Sequence, residues 1–240
     1  MAERPARLEI VLAPIQCQAA RVWSVLVRVL GLDSGLIGML EGKPVRLGDV
    51  ALRLKDKGWF NFIADHAELN LNYNAECHFS RLLVECGWRK LNDCADCLLA
   101  GIGDIGSVRQ AGLFDVEYDL RQRSEDILIF EAHGWPHAHL KKVSNGLPPP
   151  LTQLVVDTSE NPGRYVFRDG YCEFVSNPIW LGPEFFEMRR LRPQDLKLGN
   201  PWTMQTRGDL IRITCQEAPF RSAIGEEARR QDELRAALYA

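Results

Sequence analysis

The sequence predicts an α+β fold, mainly antiparallel sheet with flanking helices. Three observations lead there. Short strand-like runs meet across polar turns rather than alternating with helices as βαβ units. A few apolar stripes of helical period lie between them. The 240 residues, 46% apolar and 25% charged, have ordinary globular composition. Disordered, collagen-like and coiled-coil chains are thereby excluded. A chain this long buries roughly 70–75% of the surface its unfolded form exposes, so it needs no staples.

Taken in order, Leu8 to Ala13 alternates weakly and reads as a strand. Gln16 to Leu30 places Ala20, Trp23, Val27 and Leu30 on one helical stripe, with Gly31 as a stop signal. Val45 to Leu54 and Trp59 to Ile63 read as two strands joined by the polar turn Lys55-Asp56-Lys57-Gly58. Asn74 can cap a helix with Ala75, Phe79, Leu82, Leu83 and Cys86 on one face, ended by Gly87. Ile127 to Glu131 reads as a short buried strand. Lys141 to Pro150 has the chemistry of a linker or long loop. The chain is therefore read as one domain, 1–240, with a candidate lobe boundary at 141–150. Beyond it, Leu151–Asp157, Arg164–Arg168 and Tyr171–Ser176 are strand candidates, with Asp169-Gly170 as a hairpin turn. Pro183–Leu191 suits a short helix, Asp209–Cys215 a strand, and Glu226–Leu238 a terminal helix of good helix formers.

The net charge of -3 argues against a strongly basic nucleic-acid binder. That total is unevenly spread. Residues 1–64 carry +3, residues 65–131 carry -7, and residues 132–240 carry +1. The acidic segment is densest at Asp115, Glu117, Asp119, Glu125 and Asp126. Such a run is either a solvated face or a surface that steers a basic partner. These five are the candidate partner-binding residues. No catalytic residue, metal ligand or cofactor is assigned.

Several motifs invite sharper chemistry. Gly101-Ile102-Gly103-Asp104-Ile105-Gly106 matches the dinucleotide fingerprint, but no βαβ pattern surrounds it, so a glycine-rich turn is expected. Cys94-Ala95-Asp96-Cys97 lacks the second pair that a structural zinc needs. Seven scattered cysteines suit a reducing compartment and small buried side chains. The segment His133-Gly134-Trp135-Pro136-His137-Ala138-His139 holds three imidazoles that could bind a metal or serve as acid and base. A metal-dependent hydrolase or nuclease using His133, His137 and His139 is the enzyme alternative; a polar loop is the plainer one. The N-terminal apolar stretch is too short, before Pro14, for a signal-peptide core, and no window is long enough to span a membrane. A cytoplasmic protein is expected.

The two ends carry a resemblance. Val22 to Leu36 (VWSVLVRVLGLDSGL) runs into Gly42-Lys43-Pro44-Val45. Leu210 to Phe220 (LIRITCQEAPF) is followed by the helix Gln231–Leu238. Together they resemble the immunity protein 52 family of polymorphic-toxin and type VI secretion systems. There an early helix ends near a Leu-Asp pair, and a late strand precedes a Phe and a helix. The resemblance implies a non-catalytic α+β inhibitor. Its partner would be a cognate nuclease toxin with a restriction-endonuclease-like domain. The chain itself would touch neither nucleic acid nor membrane. An adaptor or chaperone that loads a secreted effector is a further alternative.

Overall fold

The first strand explains the architecture. In Pro5–Leu12 (β1) the residues Leu8, Ile10 and Leu12 face one way and Arg7, Glu9 and Val11 the other, and almost all of the strand is buried. A strand buried on both faces belongs at the centre of a sheet covered on both sides. The structure, a computed structural model, describes residues 4–15, 18–64 and 67–240.

After β1 come α1 (Ala19–Leu30), β2 (Ile37–Leu40), β3 (Lys43–Arg46), α2 (Leu47–Arg53), β4 (Phe60–Ala64), β5 (Ala67–Asn74), β6 (Phe79–Gly87), α3 (Trp88–Gly103) and β7 (Val108–Asp115). Then follow α4 (Val116–Arg123), α5 (Ile127–Ala132), β8 (Lys142–Ser144), β9 (Leu154–Val156), β10 (Val166–Arg168) and β11 (Tyr171–Glu173). The chain ends with β12 (Ile179–Leu181), α6 (Pro183–Arg189), β13 (Thr203–Arg207), β14 (Leu210–Thr214) and α7 (Gly225–Tyr239). Ten strands form one sheet in the order β13-β14-β12-β7-β1-β6-β5-β4-β2-β3, with every pairing antiparallel. β8–β9 and β10–β11 are separate hairpins. The fold is α+β with mainly antiparallel sheet.

The sheet separates two apolar layers. On one face Leu8, Ile10, Leu82, Val84, Leu113 and Trp180 pack against α1, α2 and α3. On the other, Val11, Phe114, Ile179, Leu181 and Ile213 pack against α6, α7 and the segment around Phe174. α1 stops where expected, with Gly31 in the left-handed region at φ 59° and its N–H on the Val27 carbonyl. Its predicted start at Gln16 lies outside the described residues, as does Cys17.

Three readings are corrected. Val45–Leu54 is not one strand: β3 ends at Arg46 and α2 follows, while β4 pairs with β2 and β5. The expected helix after Asn74 is strand β6, whose Phe79, Leu82 and Val84 feed both cores through neighbouring strands. Tertiary burial overrides a helical-looking period there. Ile127–Ala132 is helix α5, because Asp126 caps it through the Leu128 N–H at 2.9 Å. The 141–150 stretch holds β8 and the start of the loop to β9. β12 and β14 complete the sheet begun by β1 and β7, so both halves of the chain share it.

Candidate partner-binding surface

The acidic cluster sits where the chain leaves the sheet after β7. Asp115 ends β7 opposite Ala6 and becomes the N-cap of α4, accepting the Tyr118 N–H at 3.0 Å. Its other oxygen takes Arg221 Nε at 3.1 Å. An Asp at this position also suits the positive end of the helix. The run Asp115-x-Glu117-x-Asp119 is thus a cap and a first helical turn.

Beneath α4 lies a buried ion lattice. Glu9, fully buried, accepts Arg81 Nε at 2.8 Å and Nη2 at 2.7 Å, and the Tyr165 hydroxyl donates to it. Arg123 reaches the same carboxylate at 3.6 Å and Asp119 at 2.5 Å. Arg7 bridges Asp119 at 2.9 Å and Glu85 at 2.6 Å. The Arg123 guanidinium lies 4.1 Å from the Tyr165 ring centroid. Burial alone would raise the Glu9 carboxyl; attraction to Arg81 and Arg123 and the bonds from Arg81 and Tyr165 hold it at about 2 instead. For Asp119 burial wins, and its carboxyl lies above the ordinary aspartate range despite Arg123 and Arg7. Burial pushes the Tyr165 phenol well up, so it stays a donor. The lattice fixes α4 on β1 and β6.

The five candidate residues therefore divide. Asp115 and Asp119 are buried and their charge is met by internal arginines. Glu117, Glu125 and Asp126 are exposed. α5 adds exposed Glu131 and places Leu128 in solvent at 67% exposure, while Phe130 anchors the helix in the interior. The β8–β9 hairpin is stitched to this junction: the Val156 N–H donates to the Glu125 carbonyl at 2.8 Å. Asp157 N–H donates to the Lys141 carbonyl at 2.9 Å, and their side chains pair at 2.6 Å. Glu125 and Asp126 thus sit in the link between α4 and α5, next in sequence to exposed Leu128, where the base of the β8–β9 hairpin is attached.

The histidine segment follows α5. His133 Nδ1 bonds the Ile129 carbonyl at 2.8 Å, and its ring stacks on Trp135 at 4.5 Å between centroids. His137 lies 3.8 Å from Glu131, and His139 is exposed. Among the described residues no three His, Cys, Asp or Glu side chains are grouped to hold a metal ion. Gly101 and Gly103 end α3, and Gly106 lies in the turn beyond. A Cβ on Gly101 would meet Val25 at 2.8 Å and one on Gly106 would meet Ile15 at 2.5 Å, so close packing explains both. Of the described cysteines only Cys172 is fully buried, and Cys97 is exposed on α3.

Sequence reasoning missed the lattice under the site and the apolar residues beside it. Arg7 and Glu9 lie out of phase with the inward Leu8 and Ile10, and nothing in the local pattern marks them as buried on the opposite face. Leu128 read as part of a buried strand.

No family model matches the chain, so the likeness to the immunity protein 52 family rests on the residues at its two ends alone. No curated protein matches it either. Among solved structures, the Pseudomonas aeruginosa T6SS protein PA0821 is similar, with a TM-score of 0.55 and 13% identity. The match covers 98% of this chain and 73% of that one. At that identity the likeness shows the fold. No helix among the described residues is long and apolar enough to cross a membrane.

Proposed function

We propose that this chain is a non-catalytic inhibitor that binds a secreted nuclease toxin in the cytoplasm and protects the cell making it. One observation carries the reading. Glu117 on α4, Glu125 and Asp126 in the link to α5, and Glu131 on α5 are all exposed, as is Leu128, and the Glu9 lattice pins α4 to the sheet. A nuclease presents a positive surface to phosphate. An exposed acidic stretch on a braced helix complements such a surface and would speed its encounter. The fold shared with a protein named for type VI secretion supports the coarser part of the reading, a role linked to that system.

The test is co-expression with the toxin domain encoded beside this chain. Growth should be restored by the chain, and the purified pair should elute as one complex. A toxin that kills equally with and without it, and separate elution, would overturn the reading.

A further inference from the structure

A groove of about 560 Å³ opens between the end of α3 and the β13–β14 turn. Its floor is apolar: Leu99, Trp180 and Leu210 line it, and all three belong to the core layer that α3 covers. Volume and lining are those of a small-ligand site. One ion pair is built into the floor. Asp96 accepts the Trp180 indole N–H at 2.8 Å and Arg207 Nε at 3.1 Å, and Arg207 also donates to Gln205 at 2.6 Å. Among the described residues Arg207 is the one cation that lines the groove, and it is spent on the protein's own acceptors.

The remaining charge in the groove is negative. Asp104 and Asp209 line it, both are exposed, and no cation or hydrogen-bond donor among the described residues meets either carboxylate. α3 adds to this. It ends here with no basic residue in its last turn and with Asp104 as its C-cap. A helix C-terminus carries roughly half a negative charge and favours a cation beside it. α1 brings Arg21 to the Asp104 carbonyl at 3.4 Å and Arg28 toward Gly101, yet neither lines the groove. An apolar floor is thus joined to uncompensated negative charge. Phosphate and carboxylate ligands are repelled by it. A metal ion would find no grouped ligand set among the described residues and would gain nothing from the floor. An organic cation satisfies both parts.

We infer that this groove binds a small organic cation, an amine or guanidine carried on an apolar body. The body lies over Leu99, Trp180 and Leu210, and the charged group lies with Asp104 and Asp209. The site does not depend on the reading of the chain as a toxin inhibitor.

The test titrates the full chain with phenethylammonium, with its neutral counterpart phenylethanol and with the anion phenylpropionate. The Trp180 indole N–H signal in a proton–nitrogen correlation spectrum, assigned with Trp180→Phe, reports on the floor. Broadening of the ligand's own signals repeats the measurement without that reporter. Phenethylammonium should bind in the millimolar range expected of so small a ligand, the alcohol several-fold more weakly, and the carboxylate undetectably. D104N/D209N should melt like the parent and weaken the cation roughly fivefold, leaving the alcohol unchanged. Ala100→Phe, which fills the groove from an exposed helix position, should abolish binding of both. E117Q/E125Q, which removes as much charge elsewhere, should change nothing. No binding of phenethylammonium at millimolar concentration would overturn the inference, as would alcohol and amine binding equally. Cation binding that D104N/D209N leaves within twofold, or that E117Q/E125Q weakens as much, would also overturn it. If the capped peptide Lys-Phe-Lys occupies the groove and phenethylammonium does not, the site takes a protein segment and the small-cation assignment fails.

Discussion

Glu9→Gln is the sharpest probe of what holds the proposed binding surface in place. The substitution keeps the shape of the side chain and removes its charge. Two guanidiniums, Arg81 at 2.7 Å and Arg123 at 3.6 Å, then lose the carboxylate between them. Breaking a buried pair by removing one partner costs about 3–5 kcal/mol, because the remaining charge is stranded. The acid–base linkage gives a similar figure. The unfolded carboxyl titrates at 4.5 and the folded one at about 2, a gap of roughly 3 kcal/mol at neutral pH. A carboxyl lowered by folding stabilises above its unfolded value. That contribution is lost as pH falls from 4.5 toward 2. Asp119, raised by its burial, acts in the opposite sense and offsets part of the loss. The assay is thermal and urea unfolding followed by circular dichroism, at neutral pH and across the acid range. For a chain of this length each kcal/mol moves Tm by roughly 2–4 °C, so E9Q should melt roughly 10 °C early. Its stability should also fall less steeply below pH 4.5 than the parent's. The pair replacement E9M/R81M should recover part of the loss, since it strands one guanidinium fewer. A variant melting within about 2 °C of the parent, with an unchanged acid profile, would refute the account of the lattice.

Three further outcomes are expected. Asn177, fully buried, donates to the Gln216 and Ala218 carbonyls and accepts from the Thr214 hydroxyl and the Cys215 N–H. Asn177→Ala orphans these groups and should cost about 2–4 kcal/mol in urea unfolding; a loss below about 1 kcal/mol would contradict this. Gly182→Ala would set a Cβ 2.0 Å from the Val108 carbonyl oxygen. Backbone must move there, so stability should drop by about 3 kcal/mol or more, and unchanged melting would show the approach to be wrong. Glu117→Lys with Glu125→Lys should leave stability within about 1 kcal/mol while slowing toxin association most at low salt. Stopped-flow rates that match the parent at every ionic strength would remove the acidic stretch from the interface.

The fold was legible where local signals and burial agree. Gly31 ends α1, Asp169-Gly170 turns β10 into β11, and the Ala-, Glu- and Arg-rich end forms α7. It was illegible where packing decides. β6 carries apolar residues for two different layers, and that arrangement mimics a helical stripe. Asp126 outweighs the strand look of Ile127-Leu128-Ile129 by capping a single turn and a half. For the candidate site, charge counting marked an acidic stretch and could not sort buried carboxylates from exposed ones. Asp115 and Asp119 meet arginines from residues far away in sequence, Arg221 and Arg7, while Glu117 and Glu125 meet water. The apparent linker is a braced hairpin because Asn145 closes a loop whose composition alone reads as loose.

The place of β1 in the sheet has a consequence for how the protein is made. Leu8 lies opposite Val84 on one side and Leu113 on the other. β1 therefore lacks its first neighbour until β6 has been synthesised and its second until β7 (Val108–Asp115) has. At ordinary elongation rates that wait is roughly 5–20 s, with Leu8, Ile10 and Leu12 unprotected. β12, β14 and β13 are added only afterwards, outward from β7. A chain stalled between β7 and β12 has a nearly complete N-terminal half and an open, adhesive edge along β7. Newborn copies of this protein should be clients of ribosome-associated chaperones over that interval.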